Sequence, residues 1–150
     1  MKHVIAWIVA AVALALVPAL ADEGESVSQA ESAALAWLAL TDAGAYDQSW
    51  DAAASIFRSA ITQSRWQDSL RQVRAPLGGV HARRVRSARY TQSIPGAPAG
   101  EYVIIQYQTM FDSLSPGYET VTPFHEADGS WKVSGYYIFR MPPEGGAAPH

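Results

Sequence analysis

The chain has 150 residues, a formal net charge of −3 and no cysteine. That composition excludes disulfides, thiol catalysis and cysteine-ligated metals, and its acidic balance argues against a dedicated nucleic-acid binder. The length fits one domain, large enough to bury a core of its own.

Residues 1–21 read as a cleaved signal peptide. Lys2 and His3 form a short positive start, and Val4 to Val17 is an uncharged apolar run. Ala19-Leu20-Ala21 then supplies an A-x-A site, followed by Asp22, Glu23 and Glu25. The apolar run falls short of the roughly 20 residues of a comfortable membrane span. No membrane span is therefore expected after cleavage, and the mature chain is expected in the periplasm or secreted. Residues 22–140 read as a single α+β domain. Residues 141–150 are rich in Pro, Gly and Ala and read as a disordered tail.

The domain opens with a capping box, Ser28-Gln29-Ala30-Glu31, which predicts a first helix over 28–43 that stops at Gly44. Tyr46, Trp50, Ala53 and Phe57 recur at helical spacing and predict one second helix. Thr62 is placed to cap a third helix, with Trp66, Leu70 and Val73 on one face and Pro76 at its end.

After Gly79 the period changes from helix to strand. His81 to Thr91 is a basic strand with Val85 and Tyr90 as its main apolar residues, and Ile94 to Gly100 is a turn. Glu101 to Phe111 alternates cleanly, with Val103, Ile105, Tyr107 and Phe111 on one face. Tyr118 to Glu126 and Trp131 to Phe139 form a further pair around the Asp128-Gly129 turn. The expected fold is three N-terminal helices followed by a four-stranded antiparallel meander, its sheet curled against the first helix.

Four segments carry a family resemblance: Ala36 to Tyr46 with Ser49-Trp50, Arg71 to Gly78, Glu119 to Pro123, and Trp131 to Tyr137. Together they resemble the domain of unknown function 4019 family, small exported bacterial proteins with no assigned activity. The order of elements is also similar to nuclear transport factor 2-like and cystatin-like folds, in which a curved sheet wraps a helix. Folds of that shape host enzymes and binding modules alike, so the likeness does not choose a function.

Few residues point to chemistry. Glu119 shares a face with Val121, so a carboxylate is expected on the inner side of the sheet. It must be paired there or hold its proton, and Arg84 or Arg86 from the first strand is the expected counter-charge. Tyr107 and Tyr137 are the tyrosines placed to line a small-molecule pocket beside it. His81 and His125 stand on different strands without a metal-ligand spacing, so neither a metal nor a cofactor is expected. Eight arginines from Arg58 to Arg89 form a basic stretch, which reads either as solvated surface or as a patch for an anionic partner.

The expected role is a non-catalytic binding or accessory module of the cell envelope, with a small molecule or an envelope protein as partner. One alternative is an enzyme of the cone-shaped fold with Glu119 as general base. Another is a homodimer formed through the outer sheet face with Ile104, Gln106 and Gln108.

Overall fold

The computed structural model describes residues 16–143. The signal-peptide reading of residues 1–15 and the tail reading of residues 144–150 lie outside the described residues.

Helix α1 runs Leu16–Asp42, so the capping box does not start it. Ser28 lies mid-helix, its carbonyl accepting from Ser32 Oγ at 3.1 Å: the helix starts upstream with Pro18 in its first turn, where a missing N–H is tolerated, and runs on through Gly24. Ala30, Ala34, Trp37, Leu38 and Thr41 of α1 are buried, at helical spacing and on one face.

The second predicted helix is two: α2, Tyr46–Asp51, and α3, Ser55–Ala60. Between them Ala54 is extended (ψ 150°), and its N–H donates to Val133 O at 2.8 Å. Ser55 then donates its N–H and hydroxyl to the Glu126 carboxylate at 2.6 and 2.8 Å. That anion sits at the start of α3, where unpaired amides favour it. The helical spacing is real, but contacts to the sheet break the backbone that carries it. Helix α4, Gln63–Val73, follows, with Thr62 accepting from Arg65 N as its cap.

Four strands form one antiparallel sheet in chain order, not closed into a barrel: β1 Val80–Thr91, β2 Tyr102–Phe111, β3 Gly117–His125 and β4 Trp131–Phe139. The turn into β1 depends on Gly78. Its φ is +75°, and a Cβ there would stand 2.5 Å from Asp112 Oδ2.

The register sorts side chains onto two faces. Tyr107 pairs with Glu119, Ile105 with Val121 and Val121 with Tyr136. This face meets α1, and the core between them holds Trp37, Leu38, Trp66, Leu70, Val103, Val121, Val133 and Tyr136. Each large apolar side chain buried there contributes roughly 1.5–3 kcal/mol. Ser49, itself fully buried, joins two indoles: Trp37 Nε1 donates to its carbonyl at 2.8 Å and Trp66 Nε1 to its hydroxyl at 3.0 Å. α1 touches all four strands, so the sheet packs on the first helix as its alternation implies.

Candidate functional site

Glu119 stands at the middle of the inner face with no solvent exposure. Four donors converge on it: Arg83 Nε at 2.8 Å and Nη2 at 3.3 Å, the Thr109 hydroxyl at 2.5 Å, and the Tyr136 hydroxyl. Arg83 turns its other edge to Asp42 on α1, at 2.8 and 3.0 Å. Arg74 closes the cluster. It donates to Asp42 at 3.2 Å and to Gly78 O at 2.7 Å, with its guanidinium 4.8 Å from the centre of the Phe111 ring. Two arginines and two carboxylates alternate, so the cluster is neutral, as burial of charge requires.

Burial by itself would lower the pKa of Arg83, but the hydrogen bonds and charges of Asp42 and Glu119 outweigh it and raise it. Burial first, and the Glu119 charge second, hold the Tyr136 phenol well above its ordinary value. Both groups keep their protons and remain donors. A general base needs a lone pair facing a substrate; the Glu119 oxygens instead face four donors inside a packed core.

The sequence places Tyr107 and Glu119 together correctly: they are register partners on the inner face. Tyr107 is also buried, yet its hydroxyl has no hydrogen-bond partner among the described residues. Burial raises its pKa to about 12, with the charge of Glu31 adding to the effect.

Arg84 and Arg86 do not reach Glu119. Arg84 points outward and donates to Gln108 Oε1 at 3.1 and 2.5 Å, and Arg86 lies 5.2 Å from the centre of the Tyr118 ring. The counter-charge is Arg83. The physical reason is a bulge between Val85 and Ser87. Val85 and Tyr90 are of opposite parity, and one extra residue between them puts both on the inner face. Arg83 is in phase with Val85, and that phase was the available signal.

Tyr137 likewise faces outward, 48% exposed, while its neighbour Tyr136 enters the core. Among the partners in the Glu119 cluster, Thr109 is in phase with Tyr107 and Phe111 and so was readable as inward, whereas Asp42, Arg74 and Tyr136 are brought in by contacts between distant segments.

Among the described residues, open grooves lie outside the core. An apolar one of about 550 Å³ runs over the outer face of β3 and β4, between α3 and the loop after β1. Phe57, Ile94, Pro95, Tyr102, Thr122 and Tyr137 are among its lining residues, and Gly135 forms part of its floor. The Tyr102 hydroxyl donates to Pro98 O at 2.6 Å and holds the loop in place. A polar groove of about 470 Å³ lies beside Asp22, Glu23, Tyr90 and Glu101. There Glu101 accepts from the Tyr90 hydroxyl at 2.7 Å and pairs with His125 Nδ1 at 2.8 Å. The Tyr90 bond, then the His125 bond, lower the pKa of Glu101. Among the described residues, no group of three or more histidine and acidic side chains is placed to hold a metal ion. No described helix is long and apolar enough to cross a membrane.

A family model described as a protein of unknown function (DUF4019) matches residues 33–136. The chain belongs to the DUF4019 family. The matched span runs from α1 to the end of the inner-face cluster at Tyr136, so it takes in Asp42, Arg74, Arg83, Thr109 and Glu119. No curated protein and no solved structure matches the chain, and the likeness to nuclear transport factor 2-like folds rests on element order alone. For this DUF4019 chain the family therefore supplies kinship and no activity.

Proposed function

We propose that this DUF4019 protein is an exported, non-catalytic binding or accessory module of the cell envelope. The observation that supports this most is the state of Glu119: the one carboxylate sunk into the sheet is bonded by Arg83, Thr109 and Tyr136 and serves the core. The ligand site is then the apolar groove on the outer face, which Tyr137 lines, and not the inner-face pocket beside Glu119 for which that tyrosine was expected. Its volume of about 550 Å³ falls within the range of small-molecule sites. The three aromatic side chains Phe57, Tyr102 and Tyr137 suit an apolar molecule with an aromatic or aliphatic body.

Gly135 adds support. A glycine inside a strand costs about 0.5–1 kcal/mol relative to alanine, and such a residue often marks a close approach by a ligand. Nothing among the described residues demands it. Its φ is not positive, and a Cβ would meet only ordinary contacts, 3.8 Å from Thr122 Cβ and from Tyr137 Cε2.

Native mass spectrometry on protein recovered gently from the periplasm or medium tests the reading. The expected result is a reproducible added mass that is lost on denaturation and absent from Gly135→Leu, which fills the floor. A clean unliganded mass for wild-type protein would contradict a small-molecule site.

A further inference from the structure

Charge is segregated between the two layers. The four helices carry eight acidic residues and three arginines. The four strands carry Arg83, Arg84, Arg86, Arg89 and Lys132 against one acid, Glu119. Arg83 and Glu119 neutralise each other on the inner face. The register sends the rest outward: Arg84 opposite Gln108, Arg89 opposite Ile104 and Lys132 opposite Phe124, with Arg86 over the outward Tyr118 ring.

No acidic side chain of the described strands faces outward. The acids of the neighbouring turns keep their charge but stand at the ends of the strands, off the outer face, where they accept from local donors: Glu126 from Ser55, Asp112 from Gly79 and His81, Asp128 from Ser130, and Glu101 from Tyr90 and His125. Arg84, Arg86 and Arg89 are exposed, and none is within salt-bridge distance of a carboxylate among the described residues.

We propose that the outer face of the sheet docks on an anionic lipid surface. The proposal deepens the envelope reading above by naming the component met, and it does not depend on the apolar groove being filled. Charge complementarity carries it. A chain of net charge −3 is repelled by an anionic bilayer unless its cations share one face and its acids the other. Here the helices hold the acids away from the surface and fix the orientation. A broad sheet face with guanidinium groups along β1 suits a plane of phosphates better than a single phosphate. At the far edge of that face Tyr137 is 48% exposed, and Met141 beyond β4 is 77% exposed. Tyrosine of this kind favours the lipid–water interface.

The test is co-sedimentation of the full chain with vesicles of phosphatidylglycerol in phosphatidylcholine, and with phosphatidylcholine alone. Binding by the N-terminal run, whose Lys2 can itself favour anionic vesicles, is common to every variant, so the comparison between variants isolates the sheet face. A preference for the anionic vesicles is expected, and it should fade as salt is raised. Arg84→Gln/Arg86→Gln/Arg89→Gln should weaken that preference roughly 100-fold, since each cation near such a surface is worth a factor of about five. Arg84→Lys/Arg86→Lys/Arg89→Lys should keep most of it. Thermal unfolding checks that both variants are folded, which is expected because all three side chains are exposed. Equal binding to both vesicle types, or a preference that the glutamine variant keeps, would overturn the proposal. So would competition by millimolar inorganic phosphate at constant ionic strength, which would mark a discrete anion site.

Discussion

Tyr107 and the outward arginines show how little a residue's type says about its role. Tyr107 places a hydroxyl in the core without a partner, and such a group costs about 1–3 kcal/mol. Tyr107→Phe should therefore raise stability by about 1 kcal/mol in urea unfolding at pH 7, and a loss would mean that the hydroxyl has a partner. The same residue sets an alkaline limit. Its pKa is raised from 10 to about 12 in the folded chain, so its contribution is whole below pH 10 and is lost as pH rises through 12. Two pKa units correspond to roughly 3 kcal/mol. The upward shift of Tyr136 acts in the same direction. Unfolding between pH 9 and 12 should show this loss, and Tyr107→Phe should show less of it. Arg84 and Arg86 are exposed, so Arg84→Ala/Arg86→Ala should change stability by less than about 0.5 kcal/mol. At this scale the inward carboxylate was legible, because Glu119 is in phase with Val121. Its partner was ambiguous, because a bulge shifts the phase of β1 between Val85 and Ser87: counting from Val85 gives Arg83, and counting from Tyr90 gives Arg84 and Arg86.

The elements divide along the same line. The meander was readable from alternation and turn residues, since neighbouring strands pair through short connections. The split of the second helix was not. It depends on Val133 and Glu126, far along the chain, taking the amides of Ala54 and Ser55. Two glycines give opposite expectations. Gly78→Ala forces a side chain onto positive φ and against Asp112, which accepts from Gly79 N at 2.6 Å. It should cost about 2 kcal/mol or more. Gly135→Ala should leave stability unchanged or raise it by up to about 1 kcal/mol, because its backbone and surroundings accept a Cβ. Differential scanning calorimetry of the two variants checks both. A cost at Gly135 like that at Gly78 would make it a structural glycine and remove its support for the groove.

Across the whole molecule, Asp42 of α1, Arg74 after α4, Arg83 of β1 and Glu119 of β3 join four separate stretches through one buried cluster. The inner face is thereby closed. Composition gave the net charge but not its division between the faces, which appears only when the register assigns each arginine to a face. A double-mutant cycle on Arg83 and Glu119, read by urea unfolding at pH 7, tests the closed core most directly. Arg83→Met and Glu119→Leu should each cost about 3–5 kcal/mol, because each leaves the neutral cluster of Asp42, Arg74, Arg83 and Glu119 with one unbalanced buried charge. The double variant should cost well under their sum, because neither charge then remains unpaired. Small, additive losses would contradict this, and would mean that Glu119 is solvated and within reach of a substrate.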